Sequence, residues 1–178
     1  MIHFAKRTIQ VVQGEFRVSD CTDEELSTIL GSCVAACIWD EARGIGGMNH
    51  FLLAQSQGKS SEPDNRYGVH AMEVLINGLL RAGARRDALK AKLFGGAKIA
   101  ANLRDIGASN AEFARGFLRT EGISCVAESL GGNQARRVTF HPATGRARQL
   151  LIPNDQVDET TLRKPPPRPA PATSIELF

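Results

Sequence analysis

The sequence has little with which to build anything except an ordinary globular domain. It contains no uninterrupted apolar run of the length a membrane span needs, so membrane insertion is not expected. Its opening residues, MIHFAKRTIQVVQGEF, lack an apolar core followed by a small-residue cleavage site. No secretory leader is therefore expected, and the cytoplasm is the expected location. Four cysteines (Cys21, Cys33, Cys37 and Cys125) make no CxxC pair and no regular framework, which speaks for reduced thiols and against a disulfide scaffold. A formal net charge of +3 calls for neither nucleic acid nor an acidic membrane. Aromatic residues, at 6%, are not interleaved with the basic ones as single-strand binders require.

What is present suits one domain. The chain has 178 residues, 42% of them apolar and 23% charged, enough for a single real core. TIQVVQGEFRVS reads as a strand pair or a bent strand around Gly14, and CTDEELSTIL as a short helical turn leading into a strand. SCVAACIWD is uncharged until Asp40 and reads as a buried strand. The glycine-rich turn EARGIGG then leads to a short strand in GMNHFLL, completing a hairpin. Met72, Leu75, Ile76, Leu79 and Leu80 recur at helical spacing and predict a helix over 67–82, stopped at Gly83. LKAKLFGGA reads as a strand running into a turn. ASNAEFARGFLRTEG reads as a second helix, with Ser109 or Asn110 as cap and Gly122 as stop. Three further strands are expected, the last two joined at HPATGR. The expected organisation is α+β: one domain over 1–153 with helices covering mainly antiparallel sheets, then a proline-rich, disordered tail over 154–178.

The chemistry concentrates in STILGSCVAACIWDEARGIGGMNHFLL. A cysteine acts as a nucleophile only as thiolate, so it needs a neighbouring base. Cys33 follows Gly31 and Ser32, whose tight backbone path suits outward N–H groups, and the hairpin returns His50 towards it. A thiol with an imidazole suggests acyl chemistry on an amide or ester. Equally, Cys33 fits a small buried hydrophobe, and the residues alone leave both readings open. Cys37 lacks a preceding turn and reads as core. A metal site on Cys33, Cys37 and His50 lacks a further close ligand pair, so no metal is expected. His3, His70 and His141 read as surface or half-buried residues. The glycine turns FGGAKIA and LGGNQARR match no phosphate-loop spacing. The arginines at 81, 85, 86, 136, 137, 146 and 148 read as a solvated face or a surface for an acidic protein partner.

The order LGSCVAACIWD, GGMNHFLL, RYGVHAMEVLINGLLRAGA, AKLFGGA, IGASNAEFARGFLRTEGI and LGGNQARRVTFHPATG resembles the chemoreceptor glutamine deamidase family, CheD, over about residues 8–152. The resemblance implies a layered α/β/β sandwich similar to bacterial toxin deamidases. It implies an enzyme, a protein-glutamine glutaminase, that hydrolyses glutamine side-chain amides on methyl-accepting chemotaxis receptors to glutamate and ammonia. The reaction would pass through a cysteine thioester and tune the sites for methylation. It implies Cys33 as nucleophile and His50 as base, with backbone N–H groups of Gly31, Ser32 and Cys33 as oxyanion candidates. The family's third member is a threonine; the aligned position here is Ser27, which keeps the hydroxyl and loses the methyl, with Thr28 beside it. No cofactor is implied. The implied partners are the receptors and, in some bacteria, a phosphatase of the CheC type. The competing readings are a module that binds receptor or phosphatase without catalysis, a thiol hydrolase of small molecules, and a nucleic-acid binder.

Overall fold

The structure is a computed structural model that describes residues 5–55, 63–99, 105–153 and 176–178. Its architecture follows from the strand β4 (Val34–Asp40), which is buried along its whole length. Val34, Ala36 and Ile38 pack in one apolar cluster; Ala35, Cys37 and Trp39 pack in another on the opposite face. A strand apolar on both faces must lie in a middle layer. Here one face meets helices and the other a second sheet.

In chain order the elements are β1 (Arg7–Gln10), β2 (Phe16–Ser19), β3 (Glu24–Leu30), β4, β5 (Ile45–Asn49), β6 (Ala54–Gln55), β7 (Pro63–Asp64) and α1 (Asn65–Arg81). A short 3-10 turn (Arg86–Ala88) leads to β8 (Lys90–Gly95), α2 (Ile106–Glu121), β9 (Ser124–Leu130), β10 (Ala135–His141), β11 (Arg146–Ile152) and β12 (Glu176–Leu177). One five-stranded sheet runs β1-β3-β10-β11-β12 and the other β2-β5-β4-β8-β9. Only β1–β3 and β8–β9 pair in parallel in these two sheets. The expected α/β/β layering is therefore what the chain forms. Met72, Leu75, Ile76 and Leu79 of α1 join Ala114 and Leu118 of α2 on the helix side of β4 and β8. Leu26, Leu30, Val138 and Phe140 fill the space between the sheets.

Several local expectations need correction. The residues around Gly14 form two strands, but β1 and β2 belong to different sheets. Glu24 to Leu30 is strand throughout, with β1 and β10 on its two edges, and what precedes it is one tight turn in which Glu24 N donates to Cys21 O at 3.3 Å. Helix α1 begins at Asn65, where Asp64 accepts the Arg66 N–H. Helix α2 begins at Ile106: Asp105, not Ser109 or Asn110, is its cap, accepting the Ala108 N–H at 2.9 Å. The stop at Gly122 is left-handed as expected. Of the proline-rich tail, 154–175 lie outside the described residues. Phe178 stacks edge-on against Phe94, and its backbone pairs with Ala147.

Candidate active site

The glycine turn after β8 and a side chain of α2, both distant in the chain, hold the loop that carries Cys33. The carbonyl of Gly31 accepts from Ala97 N (2.9 Å), that of Cys33 from Gly96 N (2.8 Å), and that of Ser32 from the Asn110 side-chain amide (2.7 Å). The approach at Gly95 is close enough to require glycine. Its φ is +109°, and a Cβ there would lie 2.1 Å from the Cys33 carbonyl oxygen. In a trans peptide the C=O and the next N–H point in opposite directions. Three inward carbonyls therefore turn the N–H groups of Ser32, Cys33 and Val34 the other way. The last of these indeed donates to Phe51 O at 3.0 Å. The Cys33 thiol itself is partly exposed and lies 3.7 Å from the Gln13 carboxamide oxygen.

His50 sits at the exit of the β4–β5 hairpin. Cys37 pairs with Met48 in that hairpin, and the same register continues to a bridge between Val34 and Phe51. Extended one step, that register would set Cys33 opposite Leu52, with His50 its diagonal neighbour on the same face. Such neighbours have Cα atoms about 7–8 Å apart, within reach of an imidazole. The ring is buried. Burial is the main cause that pulls its pKa down to about 4, against the opposing pull of the Val11 carbonyl and Glu15. It is thus neutral at pH 7.

The tautomer follows from the hydroxyl beside it. Thr28 Oγ1 lies 2.6 Å from Val11 O and 2.8 Å from His50 Nδ1. A carbonyl cannot donate, so the single hydroxyl proton goes to Val11. Oγ1 must then accept from Nδ1–H, which also lies 3.3 Å from Val11 O. Nε2 is left as the basic nitrogen.

The hydroxyl that meets His50 is therefore not Ser27's. Ser27 Oγ donates to Val138 O at 3.0 Å and lies 3.5 Å from Thr139 Oγ1. Strand alternation is the reason: Leu26, Thr28 and Leu30 face the space between the sheets, whereas Glu25, Ser27 and Ile29 face away. Thr28 and His50 come together, Cys33 lies on the same face of the hairpin by register, and Ser27 does not join them.

Sequence reasoning also missed Asn110, and it weighed the two glycine turns only as phosphate loops. Both are buttresses: Gly95 and Gly96 clamp Cys33, and Gly131 N donates to Gly95 O at 2.9 Å behind them. Cys37 is fully buried, and burial raises its thiol pKa far above the usual range, as suits a core residue. Among the described residues no cluster of His, Cys, Asp and Glu is placed to hold a metal ion. The arginines are not one free basic face. Arg136 is buried and donates to Ser129 O, while Arg148 pairs with Glu25 and Arg86 with Glu121. His70 is exposed on α1, His141 is half-buried with its ring bonded to Thr144 and Thr22 O, and His3 lies outside the described residues.

Comparison with known proteins bears on this arrangement. A family model described as CheD chemotactic sensory transduction matches residues 52–149. A protein of Ruegeria sp. (strain TM1040), named probable chemoreceptor glutamine deamidase CheD 1, is 50% identical over 179 residues, covering 96% of this chain and 95% of its own. One of Agrobacterium fabrum (strain C58 / ATCC 33970), named probable chemoreceptor glutamine deamidase CheD, is 46% identical over 181 residues and 100% of both chains. Among solved structures, the Bacillus licheniformis hypothetical protein YfiH is similar over 70% of this chain and 60% of its own. Its 13% identity and TM-score of 0.45 are too slight to bear on the site. The relatives at about half identity span nearly the whole chain, both turns of the site included: this protein belongs to the chemoreceptor glutamine deamidase family, CheD.

Proposed function

We propose that this protein hydrolyses the side-chain amides of particular glutamines on chemotaxis receptors, with Cys33 as nucleophile and His50 as its base. One observation carries the reading. The buried imidazole is locked with Nδ1 protonated against Thr28, which leaves Nε2 basic on the face it shares with Cys33. Any buried neutral histidine holds one tautomer; this one leaves its acceptor nitrogen on the face that carries a thiol, as a general base requires. The names of the relatives supply the substrate, a receptor glutamine.

The reaction then runs in two halves. Nε2 takes the Cys33 proton and the thiolate attacks the carboxamide carbon, forming the C–S bond. The imidazolium next to a thiolate is better stabilised than the isolated ring, which offsets the cost of charging a buried histidine. The outward N–H groups of Ser32 and Cys33 are placed to receive the developing oxyanion; Gly31 contributes the turn that aims them. The imidazolium returns the proton to the departing nitrogen and the C–N bond breaks, giving ammonia and a thioester. His50 next deprotonates a water that attacks the thioester carbon, and the thiol leaves with glutamate in place of glutamine. The new glutamates become sites for methylation. No step calls for a cofactor. Family membership also supports a CheC-type phosphatase as a binding partner.

The test is mass spectrometry of a receptor cytoplasmic fragment incubated with the wild-type protein and, in parallel, with Cys33→Ala. Conversion of specific glutamines by the wild type alone is expected. Conversion by both proteins would remove Cys33 from the mechanism. Conversion by neither would leave binding without catalysis as the leading account.

A further inference from the structure

Asn110 is a fully buried polar side chain four residues inside a helix. Beyond Asn110 the inward face of α2 carries Ala111, Ala114 and Leu118. Asparagine is a poorer helix former than any of these, and its amide must be satisfied once buried. Both of its polar ends are used, and on different loops. Nδ2 donates to Ser32 O at 2.7 Å, immediately before the nucleophile, and Oδ1 accepts from Leu53 N at 3.0 Å, three residues after His50. The helix is brought close enough for this by Gly107, where a Cβ would lie 2.4 Å from both the Gly96 and the Ala97 carbonyl oxygens.

We infer that Asn110 is a positioning residue for the oxyanion site: by holding the Ser32 carbonyl it fixes the orientation of the Ser32–Cys33 peptide, and so aims the Cys33 N–H at the developing negative charge. The inference rests on the thiol mechanism proposed above. A peptide plane with its carbonyl untethered is free to rotate, and rotation withdraws the donor without moving the thiol or His50. Gly31 O and Cys33 O keep their own partners at Ala97 and Gly96, so the turn on either side of that peptide stays pinned when Asn110 changes. What Asn110 supplies is the orientation of one peptide plane, not the existence of the loop.

This separates two reactions of the same thiol. Amide hydrolysis builds an oxyanion; alkylation of the thiolate by iodoacetamide, a displacement at a saturated carbon, builds none. The experiment compares wild type with Asn110→Asp, which keeps the size and the acceptor for Leu53 N but presents a carboxylate oxygen to the Ser32 carbonyl. It also includes Asn110→Ala, which suits a helix interior in case the carboxylate prevents folding. Receptor-fragment deamidation, the Cys33 alkylation rate and the thermal midpoint are measured on each. Expected is a fall in kcat of roughly 100-fold, the scale of losing one oxyanion donor. KM and the alkylation rate should stay within about twofold of wild type, since neither depends on that donor. Unchanged kcat in a folded variant overturns the inference. So does a parallel loss of alkylation and turnover, which marks Asn110 as support for the whole site. Wild type that alkylates but deamidates nothing brings down the thiol mechanism itself, and this inference with it.

Discussion

Replacing Thr28 by valine tests the least expected contact in the site. The substitution keeps the volume and branching of the side chain and removes only the hydroxyl, which joins His50 Nδ1 at 2.8 Å to Val11 O at 2.6 Å. The ring does not lose every partner, because Val11 O is already 3.3 Å from Nδ1 and remains available to it. The loss is therefore about one net hydrogen bond, roughly 0.5–1.5 kcal/mol, and not an abandoned buried donor. If that bond holds the reactive tautomer through the transition state, kcat falls by about 2- to 13-fold. This is far less than the roughly ten-thousandfold loss that follows when a charged triad carboxylate becomes an amide. Ser27→Ala is the matched control. It removes a bond to Val138 O on the opposite face of β3, at a cost of about 1 kcal/mol in stability and nothing in rate. Both variants are assayed by quenched mass spectrometry of a receptor fragment at saturating substrate, with thermal midpoints alongside. Turnover of Thr28→Val at the wild-type rate, or an equal fall for Ser27→Ala, would refute the assignment of Thr28 as the orienting hydroxyl.

His50→Ala should abolish deamidation as fully as loss of the thiol; near-normal turnover would mean that another group takes the Cys33 proton. The depressed pKa of His50 also has a stability signature. The ordinary histidine value is 6.5 and the folded ring titrates at about 4, so on acidification the unfolded chain takes up the proton first. The stabilising contribution of the neutral buried ring is fully present above pH 6.5 and is lost as the pH falls through about 4, a total of roughly 3 kcal/mol. Denaturant midpoints of wild type and His50→Gln should therefore converge over that window, and parallel curves would count against a buried neutral imidazole. Gly95→Ala places a Cβ 2.1 Å from Cys33 O at a φ of +109°. A loss of at least about 2 kcal/mol is expected from the strained backbone alone. A chemical melt as stable as wild type would show that this turn does not clamp the nucleophile.

The pattern of what was legible in the sequence follows the range of the contacts. Cys33 and His50 lie on one hairpin, and a hairpin is written locally: an apolar run, a glycine turn, a second run. The helices were legible for the same reason, from the spacing of Met72, Leu75, Ile76 and Leu79. The cap of α2 was misplaced because Ser109 and Asn110 are good cap types standing beside a better-placed one. The side chain of Asn110 was in fact drawn inward by Ser32, 78 residues away, a contact no local pattern announces. Gly95 likewise looks like any turn glycine until β8 is laid against β4 and its Cβ position falls on Cys33.

Ser27 is a different kind of miss, because local physics could have prevented it. In Glu25-Leu26-Ser27-Thr28-Ile29-Leu30, the fully buried Leu26 and Leu30 mark the face of the strand that meets the other sheet. Period-2 alternation then places Thr28, not Ser27, on that face. The salt-bridged Glu25 shares the far side with Ser27. A one-residue offset along a strand reverses the direction of every side chain, so a family register counted back from Cys33 cannot choose between neighbours unless the alternation is read with it. Once it is, the hydroxyl that meets His50 belongs to a threonine, the residue type that the family resemblance implies there. Its methyl restores the χ1 restriction that a serine would lack, and the apparent departure from the family pattern disappears.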